Sequence, residues 1–183
     1  VTWTYILTDD AHFMLLAGET FDGDHHTIEL GSHGQELNIG IFIIDPITVT
    51  ETSLSPLIKN LEVHSHATEQ IGDDATYGGG GLVRGRQHFF QINDCSHKGT
   101  VDEACGGICG SQCSDYTINH CQQHGLIESH GGGICGNLNG NLNNADIKTT
   151  IIQHCHSHGN IGSWGGGISG ANSSNLMIEK CHS

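Results

Sequence analysis

The feature that most narrows the possible folds is a repeat. Glycine clusters recur as Gly78-Gly79-Gly80-Gly81-Leu82, Gly106-Gly107-Ile108, Gly131-Gly132-Gly133-Ile134 and Gly165-Gly166-Gly167-Ile168. Thirteen residues beyond three of the apolar positions stands a cysteine: Leu82 to Cys95, Ile108 to Cys121, Ile168 to Cys181. From Ile134 to Cys155 the distance is 21, which is 13 plus an eight-residue insertion placed near Asn137–Asn144. An isoleucine precedes each cysteine by three (Ile92, Ile118, Ile152, Ile178). A glycine follows by four (Gly99, Gly125, Gly159), and a β-branched residue two further on (Val101, Ile127, Ile161). The cysteine spacing is 26, 34 and 26.

Periods of this length mark stacked supersecondary units. Helical pairs are excluded by the glycine content and the poor helix formers throughout. A propeller blade needs about 40 residues. The apolar residues come in short β-rich pieces, Tyr116-Thr117-Ile118 and Thr150-Ile151-Ile152, divided by Gly, Asn and Ser, which reads as short strands and turns. One coil of a parallel β-helix fits. The expected fold is all-β: a right-handed, single-stranded parallel β-helix (β-solenoid) of about six coils, one continuous domain. Residues 1–77 form irregular capping coils and 78–183 the regular ones, since terminal units of solenoids are atypical. Glycines Gly81, Gly107, Gly133 and Gly167 are expected at coil turns, where a positive φ suits glycine. Further strand candidates are 17–30, 40–44, 47–50 and 57–63, and Leu61 aligns with Ile92.

Composition removes several functional classes. The 183 residues include 27 Gly, 8 Cys and 15 His, with 36% hydrophobic and 5% aromatic content. No apolar run reaches the ~18–20 residues of a membrane-spanning helix, so no membrane insertion is expected. The formal net charge is −14, with −12 in residues 1–74 and −2 in residues 75–183. Nucleic-acid binding needs a basic footprint and is not expected. The chain begins at Val1 without a basic n-region before an apolar stretch, so no signal peptide is visible in this segment. The pattern stops abruptly at Cys181-His182-Ser183, as a segment of a longer protein would.

The units Gly-Gly-Ile-Cys-Gly, Ile-Asn-His-Cys and Gly-Leu-Ile at 106–110, 118–121 and 125–127 resemble the GLUG repeat. The stretch Asp22-Gly23-Asp24-His25-His26-Thr27-Ile28 is similar to the opening coils of right-handed parallel β-helix proteins. A cysteine-rich version of the repeat is familiar from large DNA viruses of protists, and a serine version from bacterial surface proteins. The resemblance covers about residues 78–183 and the rest more weakly. It departs at Arg84, where the motif has glycine, and at the insertion. It implies a fold rather than a function, because the motif residues are turn and core positions.

Candidate sites are few. Cys95, Cys121, Cys155 and Cys181 are expected to form a ladder one strand spacing, about 4.8 Å, per step. Buried thiols packed as small hydrophobes and disulfides between neighbouring steps both fit that ladder. Cys109 and Cys135 occupy equivalent places and could stack or pair. Cys105, Cys109 and Cys113 are spaced by four, which is not a zinc knuckle. His120, His154, His156 and His182 flank the ladder cysteines and could cluster on the outer face. A polar surface ladder, a zinc site and a pH-responsive contact surface are the readings of that cluster, and otherwise no cofactor is expected. Carbohydrate-active chemistry would need paired carboxylates or an acidic cluster with an arginine. The candidates are Asp73, Asp74, Asp102, Glu103, Asp115, Arg84 and Arg86, and none recurs at one point of consecutive coils. No Gly-x-Ser-x-Gly elbow occurs.

The leading expectation is a non-enzymatic structural or attachment protein making repetitive contacts with other proteins or with itself. The resemblance places it in a virion or at a cell surface. The alternatives are a surface adhesin binding glycans through one face, and a polysaccharide lyase or glycoside hydrolase.

Overall fold

The protein is represented by a computed structural model that describes residues 12–30, 37–68, 78–140 and 150–183. It is all-β, with no helix among the described residues and parallel strands throughout. No helix among those residues is long and apolar enough to cross a membrane.

Two strands, β1 (Phe13–Leu15) and β4 (Phe42–Ile44), form a small parallel pair. The main sheet is organised by β5 (Leu57–Thr68), which pairs β2 (Thr20–Glu29) and β3 (Leu37–Asn38) on one side. On its other side β5 serves two ladders. Its first residues pair β6 (Gln91–Asn93), which continues to β8 (Thr117–Asn119), β10 (Thr150–Gln153) and β12 (Leu176–Glu179). Its later residues pair β7 (Ser96–Thr100), followed by β9 (Gln122–His124) and β11 (His156–His158).

The register repeats the sequence spacing. Ile58, Ile92, Ile118, Ile152 and Ile178 are successive partners. Bridges Gly80–Gly106–Gly132–Gly166, Val83–Cys109–Cys135–Ser169 and Val101–Ile127–Ile161 carry the same offsets elsewhere in the unit. Each unit turns at three bends held by positive-φ residues other than glycine. Asn60, Asp94, His120, His154 and Lys180 hold the bend before the cysteine position at φ 51–53°. Ala104, His130 and Trp164 hold a second bend, and Arg86, Gln112, Leu138 and Asn172 a third. The left-handed conformation suits Asn, Asp and His better than other side chains, and such residues fill many of these corners.

The core is the set of inward positions of this repeat: Ile58, Ile92, Ile118, Ile152, Leu82, Ile108, Ile134 and every cysteine but Cys181, all essentially sealed from solvent. Phe90 stacks on Tyr116 at 5.1 Å, and Phe13, Phe21 and Phe42 pack together near the other end. In the last unit the equivalent positions open. Ile178 is 46% and Ile161 44% exposed, against 0% for Ile152 and Ile127 before them.

Several expectations change. Residues 47–50 are not a strand. The Asp45 carboxylate accepts from the Ile47 and Thr48 amides and the Thr48 hydroxyl, closing a turn. Leu61 does not align with Ile92. Ile58 does, and an offset of 34 then sets Leu61 at the head of the cysteine positions. The insertion does not begin at Asn137. Leu138 and Gly140 donate to Ala171 and Cys113, and buried Asn139 donates to the carbonyls of Gly110 and Gly136. Residues 137–140 therefore belong to the regular unit, and the extra residues fall within 141–149, outside the described residues.

Candidate functional site

The ladder cysteines are free thiols, with Cys95, Cys121 and Cys155 buried and Cys181 half-buried. Each sits one residue past a left-handed bend residue and donates to the carbonyl two residues back. These contacts are Cys95 to Asn93 at 3.2 Å, Cys121 to Asn119 at 3.4 Å, Cys155 to Gln153 at 3.2 Å and Cys181 to Glu179 at 3.3 Å. The later three also approach the isoleucine carbonyl of the preceding unit at 3.6–3.8 Å. The thiol thus fills space as a small apolar group and satisfies a carbonyl turned inward at the bend. Burial pushes the Cys121 thiol well above its ordinary pKa, which keeps it protonated and unreactive. A second group joins Cys109 to Cys113 and Cys135 beside Tyr116, and burial likewise raises Cys109. Cys105 lies apart, packed with Val101 and Ile127.

The glycines Gly81, Gly107, Gly133 and Gly167 do not have positive φ, contrary to the turn argument. Their role is close approach. A Cβ on Gly81 would meet the Gly107 carbonyl and the His97 ring. One on Gly107 would meet the Gly133 carbonyl, and one on Gly133 the Gly167 carbonyl and the Ser157 hydroxyl. A buried polar column therefore lies against the glycines. His97 Nδ1 donates to Gln123 Oε1 at 2.7 Å, because Gln123 Nε2 is committed to the Gly99 carbonyl. His97 Nε2 then accepts from the Ser65 hydroxyl at 2.8 Å. This hydroxyl–imidazole–carboxamide string is shut from solvent at all three residues. Burial holds His97 neutral, with its pKa down to about 4.

The surface histidines form ring stacks. His120 lies on His154 at 4.7 Å, and His156 contacts His182 at 5.2 Å. His124 lies on His158 at 4.9 Å, and His156 contacts His158 at 6.0 Å. The bend at His154 separates the first stack from the strand residues. Among the described residues no group of three or more His, Cys, Asp or Glu is placed to hold a metal ion.

The carboxylates are dispersed. Asp102 accepts from the Glu103 amide, and Glu103 lies 3.4 Å from His130. Asp73 and Asp74 lie outside the described residues. Arg84 and Arg86 line a cleft whose lining does not include Asp115. Phe42 bridges Val83, and Arg84 donates its amide to Phe42. Beyond that point the two chain segments part. The Ile44 amide finds the Gln87 side chain at 2.7 Å instead of a backbone carbonyl, and Arg86 and Phe89 turn at φ 61° and 60°. The opening encloses about 510 Å³. Ile43, Ile44, Pro46 and Val49 form one wall, and the segment from Arg84 to Phe89 the other. Behind the second wall, His88 Nδ1 lies 2.9 Å from the Ser114 hydroxyl, which donates to Asp115 at 2.7 Å. Burial lowers the His88 pKa, while the Asp115 charge opposes the shift. The sequence signal was present in the departure from the repeat at Arg84. Its equivalents in the next three units are Gly110, Gly136 and Gly170.

Comparison with protein-family models, with curated proteins and with solved structures finds no match to this chain.

Proposed function

We propose that the chain is a right-handed parallel β-helix built of GLUG-like repeats. Its function is non-enzymatic: a structural or attachment component of a virion or comparable surface assembly, making repetitive contacts with other proteins or with copies of itself. One observation carries the reading. Ladders at separate places in the unit step along the chain by the same 26- and 34-residue offsets. A winding chain whose successive turns stack produces that register, and its stability is a sum over neighbouring units. Such a stack is a stiff scaffold, and its histidine stacks repeat along one direction as an array of identical contacts does. The virion setting rests on the repeat resemblance alone.

Two measurements test it. Excision of one 26-residue unit, residues 96–121, should leave a chain that still folds cooperatively with the same type of circular dichroism spectrum, and loss of folding would reject the winding. Quantitative mass spectrometry of purified particles or surface fractions of the source should find the chain at fixed stoichiometry to the other structural components. Absence from those fractions would reject the assembly role.

A further inference from the structure

We propose that the face built around β9 and β11 binds a linear sulfated polysaccharide as its histidines take up protons. Three register columns meet there. The bend column runs through His120, His154 and Lys180. The next runs through Gln122, His156 and His182, and the third through Lys98, His124 and His158. From β9 onward these positions carry no carboxylate. Imidazole is the side chain whose ordinary titration falls between pH 5 and 8, so acidification through that range is what charges such a face. Protons on these six histidines alone turn the net −2 of residues 75–183 positive.

The rings decide the ligand chemistry. His120 on His154 and His124 on His158 are stacked with planes within 8°, and His156 contacts both His158 and His182. Ring faces are turned to one another, so an incoming group meets ring edges and their N–H donors. Those donors suit oxyanions, whereas nucleobases need a free ring face. Protonated rings one strand spacing apart repel. An anion lying along the column relieves that repulsion, so anion binding and proton uptake favour each other. Burial and the His158 charge hold His124 below the ordinary value, with Lys98 adding to the effect and Glu62 opposing it. The other charged neighbours are His64 and His66 on β5 and Glu29 on β2, with Asp94 at the head of the bend column, Glu179 beside Lys180 and Glu128 beyond β9. Glu62 and Glu29 lie 2.7 Å and 3.8 Å from His64, on the far side of β7 from the array. A sulfate ester stays ionised throughout the imidazole range, while carboxylates are neutralised toward pH 4. A chain with sulfates on successive sugars suits a narrow strip that repeats at every unit. This goes beyond the assembly role and does not depend on it.

Binding of dextran sulfate to the whole chain is measured by calorimetry at pH 5.5 and pH 7.5, in buffers of different protonation enthalpy. Uncharged dextran, polygalacturonate and oligothymidylate are the comparators. The expected result is saturable binding at pH 5.5 with net proton uptake, about tenfold or more weaker at pH 7.5 and weakened by salt. Side-chain NMR of the unsubstituted chain should show His124 titrating at higher pH when the ligand is present. The triple variant His124→Gln, His156→Gln and His158→Gln uses the residue that stands at Gln122, and its affinity at pH 5.5 should fall about tenfold. His25→Asn with His130→Asn, off the three columns, should leave affinity unchanged, with circular dichroism as the fold check for both. No binding at pH 5.5, equal affinity at the two pH values, or an unmoved His124 titration would overturn the proposal. So would undiminished binding by the triple variant, an equal loss in the control variant, or equal binding of uncharged dextran. Equal or tighter binding of oligothymidylate would assign the face to nucleic acid instead, and equal binding of polygalacturonate would overturn the assignment of sulfate.

Discussion

The imidazole of His124 lies flat on that of His158, ring centroids 4.9 Å apart and planes within 8°. Burial holds His124 below the ordinary imidazole pKa, and a charge on His158 adds to the effect. Because the parallel register repeats side chains at one strand spacing, like charges on successive units face each other directly. Side-chain NMR titration should find His124 protonating below the unperturbed value near 6.5. In His158→Ala it should move up, since both the repulsion and part of the cover are gone. An unchanged titration would show that the rings do not stack in solution.

His97 makes a larger statement about stability. Its folded pKa is about 4, so the folded chain binds the proton less readily than the unfolded chain does. The stabilisation is complete above the unfolded value near 6.5 and is lost as pH falls toward 4, a difference of about 3 kcal/mol. The substitution His97→Gln, using the residue of the next unit at this position, should flatten that dependence. Chemical denaturation of both proteins at pH 7 and pH 4.5 checks it. Equal pH slopes would mean that the buried imidazole is protonated or exposed.

Much of this was legible because a repeat multiplies each signal. The isoleucine and cysteine columns could be read from spacing, and the structure pairs Ile92, Ile118 and Ile152 as that spacing requires. Spacing could not reveal why a glycine is needed. Gly107 serves contact with the Gly133 carbonyl rather than a positive φ, and both causes leave the same residue in the sequence. Nor could it foresee that left-handed bends would fall on His120 or Leu138. Strand alternation alone would put His154 and His156 on one face, but the left-handed bend at His154 breaks that alternation. The cleft was hidden for a related reason. It depends on residues 42–49 and 83–89 parting, and those segments are about 40 residues apart in sequence. Only Arg84, standing where glycine recurs, announced it.

Gly107→Ala should separate close approach from chain flexibility. The added methyl meets a backbone carbonyl of the next unit and the Gln123 carboxamide, neither of which can move without shifting the stack. A loss of about 1–3 kcal/mol is expected, read as a lower denaturation midpoint with unchanged far-ultraviolet circular dichroism. A neutral result would mean that the units are further apart.

The thiols offer a chemical count. Seven of the eight cysteines are buried and Cys181 is half-buried. A thiol-specific reagent at neutral pH should label Cys181 first and all eight only after unfolding, because the thiolate must form and be reached. Burial raises the Cys181 pKa too, so its reaction should be slower than that of a free thiol and should accelerate with pH. Cys181→Ser should abolish the early phase. Rapid labelling of several residues in the folded chain, or an early phase surviving that substitution, would contradict the burial of the thiol columns.

Trp164 tests the bends. It is 79% exposed and held at φ 61°, with a ring contact to His130 at 6.5 Å. A left-handed conformation costs most side chains roughly 1–2 kcal/mol, and asparagine is among the few that relieve it. Ala104 and His130 hold the same bend in the preceding units, so the fold tolerates a smaller residue there. Trp164→Asn should therefore stabilise the chain by up to about 1 kcal/mol, even though it deletes a large apolar side chain. Thermal and urea unfolding at one pH measure the change. A clear loss of stability would mean that the indole is covered in solution and that the bend it occupies is not strained.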